Sequence, residues 1–107
     1  MFATEKGLPI ACNLTDAEFQ ERRRGLLDHL HRSVVEMREL ENGFAYMFPS
    51  DIGWLTKLAD IVALERQCCP FLRFAIIVQA ADGPIWLEMT GPEGSKDFIA
   101  STFHGNQ

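Results

Sequence analysis

Three cysteines, Cys12, Cys68 and Cys69, are the residues of this chain best suited to chemistry. Thiolates are soft ligands, and three of them around one point suit zinc, copper(I) or a heavier soft metal or metalloid. Glu65 stands one helical turn before the Cys68-Cys69 pair, where a carboxylate could give or take a proton as a bond to such an ion is cleaved. As a catalytic set, Cys68, Cys69 and Glu65 could instead exchange disulfides or transfer a group. That requires one exposed thiol of low pKa and a partner to resolve it. Packing is the plain rival, because free cysteine is among the most buried residue types and often only fills a core. Adjacent cysteines also chelate one ion poorly unless the backbone bends between them, and no CxxC spacing is present. Glu65 lies on an apolar stripe and needs a partner, since an unpaired buried charge is costly. Arg66, Arg73 and the run Arg22 to Arg24 are the candidates, although that run by itself reads as a solvated helix face.

The elements that must position these groups are written in turns and periodicity. Leu8 to Asn13 reads as a first strand ending beside Cys12. Thr15 and Glu18 then form a capping box, with Leu14 and Phe19 spaced as a hydrophobic staple, opening a helix to about His31 that buries Phe19, Leu26, Leu27 and Leu30. Val34 to Leu40 and Phe44 to Phe48 flank Asn42-Gly43, a hairpin signal that predicts positive φ at both turn residues and pairs 41 with 44 and 37 with 48. One face then carries Val35, Met37, Phe44, Tyr46 and Phe48, the other Glu36, Arg38 and Ala45. Pro49-Ser50-Asp51 opens a second helix with Trp54, Leu55, Leu58, Ile61 and Val62 on one stripe, and Pro70 stops it. Strands follow over Leu72 to Gln79 and Ile85 to Thr90, joined at Asp82-Gly83-Pro84. Gly91-Pro92 begins a last helix with proline at its first position and Phe98 and Ile99 as anchors.

The resulting order, βαββαββα, predicts an α+β fold: one antiparallel sheet with helices packed on one face, related to the ferredoxin-like sandwich. That topology brings the end of the first strand, the end of the second helix and the start of the last helix to one end of the sheet. Cys12, Cys68, Cys69 and Glu65 should meet there, beside Thr90, Gly91 and Gly94, whose loop leads into a helix N-terminus able to hold an anion.

Composition limits what such a site could serve. The 107 residues make a single domain, with 1–7 and 104–107 expected to fray and His104 in that tail. Fifteen acidic against ten basic residues give a net charge of −5, unsuited to binding nucleic acid through bulk charge. No apolar run is long enough to span a bilayer, and Met1 to Lys6 lacks a signal peptide's apolar segment, so a cytoplasmic chain with reduced thiols is expected. Gly91 to Lys96 lacks the Gly-Lys-Ser/Thr order of a phosphate loop, and His29 and His31 read as surface residues.

Glu65-Arg66-Gln67-Cys68-Cys69-Pro70-Phe71 together with Gly83-Pro84-Ile85-Trp86-Leu87 and Thr90-Gly91-Pro92-Glu93-Gly94 resembles a family of small, uncharacterised bacterial proteins. That family carries an ERxCCPF segment followed by GPxWLxxTGPxG, and Ile10-Ala11-Cys12-Asn13-Leu14-Thr15 is similar to its N-terminal cysteine element. The resemblance implies a bacterial, cytosolic protein and assigns no activity. Three functions therefore compete. The first is a soft metal or metalloid site with Cys12, Cys68 and Cys69 as ligands. The second is a thiol redox or thiol-transfer enzyme using Cys68 or Cys69. The third is a non-catalytic module with structural cysteines, whose two Trp and eight Phe and half-wet sheet suit a homodimer.

Overall fold

The structure is a computed structural model that describes residues 17–104. Helix α1 (Ala17–Ser33) leads into the hairpin β1 (Glu36–Leu40) and β2 (Gly43–Phe48). Helix α2 (Ile52–Cys68), strands β3 (Arg73–Val78) and β4 (Ile85–Thr90), and helix α3 (Ser95–Phe103) complete the described chain. The strands form one antiparallel sheet in the order β1-β2-β4-β3. The predicted first strand, Leu8 to Asn13, lies outside the described residues, as do Leu14, Thr15 and the Phe19 side chain. The ferredoxin-like relation rests on that strand. Among the described residues no helix is long and apolar enough to cross a membrane.

Alternation along the strands separates two faces. Phe44, Tyr46 and Phe48 on β2 share a face with Leu87, Met89 and Ile85 on β4 and with Phe74 and Ile76 on β3. This face packs against Leu27 and Leu30 of α1, Leu58 and Ile61 of α2, and Ile99 and Phe103 of α3, making one core. On the other face Trp86 is buried beneath Arg38, whose guanidinium carbon sits 4.4 Å from its ring centroid. That contact combines cation–π attraction with coverage by an amphipathic stem.

The hairpin keeps its predicted faces but not its predicted turn. Leu40 pairs with Gly43 and Met37 with Tyr46, so Glu41 and Asn42 make the turn. The whole register moves by two, which preserves the side of every residue. Neither Asn42 nor Gly43 has positive φ. Gly43 is required instead by close approach to β4, since a Cβ there would collide with Met89 O and lie 2.8 Å from Thr90 Cα. Two consecutive positive-φ residues occur in the other hairpin, at Ala81 and Asp82, both at φ 57°. Gly83 N–H closes that turn on Ala80 O at 3.1 Å.

Helix α2 starts as its sequence predicts, with the Asp51 carboxylate accepting from Gly53 N–H at 3.0 Å. Helix α3 starts later than expected. Pro92 lies in a preceding turn, where its carbonyl accepts from Ser95 N–H, and Gly94 caps the helix in the left-handed region at φ 98°. His104 is not a frayed end residue: it caps α3, and its Nε2 lies 2.9 Å from the Tyr46 hydroxyl.

Alanine pays sterically for the left-handed conformation, by about 1 kcal/mol or more. Ala81→Gly should therefore raise stability by about 0.5–1 kcal/mol, a gain reduced by glycine's greater freedom in the unfolded chain. Gly43→Ala should lower it by about 2 kcal/mol or more through overpacking. Urea denaturation of the two variants checks both signs.

Candidate functional site

The buried stripe of α2 runs through Trp54, Leu58, Ile61 and Leu64, then continues into Glu65 and Cys68. Helical spacing thus places a carboxylate and a thiol group where a further pair of apolar residues would ordinarily sit. Glu65, Cys68 and Cys69 are all 0% exposed. The helix ends between the two cysteines. Cys68 is its last residue, and Cys69 leaves at φ −124°, ψ 72° while its N–H still donates to Glu65 O at 2.7 Å. Leu72 N–H then donates to Cys69 O at 3.1 Å, turning the chain into β3. This is the backbone bend that adjacent cysteines need in order to converge on one point, and one ligand atom from each of Glu65, Cys68 and Cys69 lies within 4.8 Å of the other two.

The partner of Glu65 comes from α1. Arg23 Nε donates to Glu65 Oε2 at 2.7 Å, and the Arg23 side chain is only 11% exposed. The basic run is therefore not a uniformly solvated face. Arg22 and Arg24 are exposed, and Arg24 pairs with Glu21 at the surface, whereas Arg23 turns inward. Consecutive helical residues point about 100° apart, so only one of the three can face α2. Among the described residues Arg23 Nη2 is buried without a hydrogen-bond partner.

Burial governs the protonation of this cluster. It raises the Glu65 carboxyl above its ordinary range, an effect that Arg23 opposes and does not cancel. The Cys69 thiol donates weakly to Glu65 Oε1 at 3.9 Å. It is pushed up to about 12, first by burial and then by the Glu65 charge, with Arg23 pulling the other way. A thiol in that state is neutral at physiological pH and a poor nucleophile. Cys69 is a free thiol, whereas Cys68 is disulfide-bonded.

Of the residues singled out by the sequence, Glu65, Cys68 and Cys69 come together. Cys12 lies outside the described residues. Thr90 and Gly91 reach the same end of the sheet: Thr90 pairs with Gly43 and Arg73, and Gly91 N–H donates to Asn42 O at 3.2 Å. Both line a cleft of about 380 Å³ together with Phe71 and Arg73, while Gly94 stands at the α3 N-terminus. Three features are missing from the sequence reading: the inward turn of Arg23, the Tyr46–His104 contact, and Ser95. Ser95 is fully buried with an unpartnered Oγ beneath Gly91, where an added Cβ would come within 3.0 Å of Ser95 Cβ. Only Arg23 carried a signal, as one of the arginines offered to Glu65.

Two outcomes follow from the electrostatics. At pH 8 the thiolate fraction of folded Cys69 should be about three orders of magnitude below that of an ordinary thiol, so iodoacetamide should label it at a measurable rate only after unfolding. Glu65→Ala should cost about 3 kcal/mol or more, because it strands a guanidinium that cannot shed its proton. Arg23→Met should cost less, since Glu65 can become neutral. Denaturation of the two variants at pH 7 gives the comparison. No family model, curated protein or solved structure matches the chain.

Proposed function

We propose that this protein binds a soft metal or metalloid through its cysteines, with Cys68 and Cys69 as core ligands and Glu65 beside them. The reading is carried by one observation: the ligand atoms of Glu65, Cys68 and Cys69 lie within 4.8 Å of one another, and all three residues are fully buried. Two thiolates sharing a tetrahedral zinc stand about 3.8 Å apart, so the cluster closes on one ion by contracting by up to about 1 Å. Binding itself deprotonates thiols, so the high proton affinity of Cys69 makes uptake pH-dependent and does not forbid it. Cys12 enters as the third sulfur on sequence grounds, and Cys68 takes part once its disulfide has been reduced.

That disulfide favours a second reading, a thiol redox function. Cytosolic disulfides are uncommon and usually transient or redox-sensing. A Cys68 that cycles between bonded and thiol forms beside a Cys69 thiol held neutral at physiological pH would fit such a role. Group transfer through a Cys69 thiolate is disfavoured by its protonation.

Native mass spectrometry of the reduced chain with zinc, copper(I), mercury(II) and arsenite tests the first reading. One ion per chain is expected for at least one of them, with binding abolished when Cys12, Cys68 and Cys69 are all replaced by serine. Equal binding by the serine variant overturns it. If reduction and reoxidation instead proceed at a defined potential with no ion bound, the redox reading takes its place.

A further inference from the structure

The cluster contains a group that a simple cation site does not explain. Arg23 Nη2 lies on the same edge of the guanidinium as Nε–H, and Nε–H is engaged with Glu65 Oε2 at 2.7 Å. The Nη2 atom is buried and has no hydrogen-bond partner among the described residues, so a donor on the edge that faces the cluster lacks an acceptor there. Leaving such a donor unsatisfied is costly, and an occupant that supplied an oxygen would remove the cost. The Glu65 carboxylate is already held by Arg23 and by the Cys69 thiol. It is poorly placed to complete the coordination of a bare ion. A cation bound by sulfur alone would leave Nη2 unpaired.

We propose, resting on the soft-ligand reading above but giving the third position to oxygen in place of Cys12, that the preferred occupant is a trivalent metalloid oxyacid of the arsenite type, bound by the Cys68 and Cys69 sulfurs and keeping one hydroxyl that accepts from Arg23 Nη2. Cys68 must first be released from its disulfide by a dithiol reductant, which ends as a disulfide itself. Two arsenic–oxygen bonds then break and two arsenic–sulfur bonds form. Each thiol proton leaves with a hydroxide as water, so one As(OH)3 and two thiols give one dithiolate hydroxide and two waters. Arsenic stays trivalent. The exchange adds no net charge, which suits a site sealed from solvent.

X-ray absorption at the arsenic edge of the reduced protein loaded with arsenite should show two sulfurs and one oxygen per arsenic. Arg23→Lys should lower the ratio of arsenite to mercury(II) affinity roughly ten- to a hundredfold, the effect of one hydrogen bond to a charged group. Should that variant fail to fold by circular dichroism, the double variant Arg23→Met, Glu65→Gln removes both charges together and should show the same fall. Three sulfurs and no oxygen around arsenic, or an affinity ratio unchanged in the folded variant, overturns the proposal. Binding of zinc or mercury(II) without arsenite overturns it too, while leaving the soft-metal reading intact. Binding of none of these ions overturns both.

Discussion

The arrangement at the cysteine end depends on one buried ion pair, Arg23 to Glu65. Burying either charge alone is prohibitive, so each residue determines the position of the other. Glu65 occupies the apolar stripe of α2 because α1 delivers a guanidinium to it. The price is a carboxyl and a thiol whose ordinary acidities are both suppressed. A site built this way keeps the Cys69 thiol in neutral form. It favours ligands that exchange with a proton over reactions that need a standing thiolate.

The rest of the fold supports that pairing through apolar packing. The core beneath the sheet is continuous from Leu27 and Leu30 of α1 to Phe103 of α3, so the helices are fixed by apolar packing. Arg23 also lies near the Phe103 ring, 5.9 Å from its guanidinium carbon, where the end of α3 approaches. Where the chain does adopt unfavourable backbone, at Ala81 and Asp82, it does so in the hairpin at the opposite end of β4 from Thr90 and Gly91.

Much of this was legible in the sequence because it follows from periodicity. The faces of β1 and β2 survive a turn read in the wrong place, since a register shift of two leaves every side chain on its own side. The stripe of α2 extends through Glu65 to Cys68 as its spacing predicts. What failed was information that lives in other elements. Gly43 looks like a turn glycine, yet its reason is the β4 backbone at Met89 and Thr90, far away in sequence. Arg22, Arg23 and Arg24 are indistinguishable by type, and only the azimuth of α1 against α2 selects Arg23. His104 belongs to a polar stretch at the end of the chain, and nothing local reveals that Tyr46 will meet it 58 positions away.

The end of α2 between Cys68 and Cys69 has a mechanical meaning. One sulfur rides on the last turn of a helix, and the other on the connection that enters an edge strand of the sheet. Any bond spanning the two sulfurs is a clasp between the helical layer and the strand layer. Its making and breaking would be felt as a change in how firmly α2 is fastened to β3, and the chemistry of two atoms would become the stiffness of a joint.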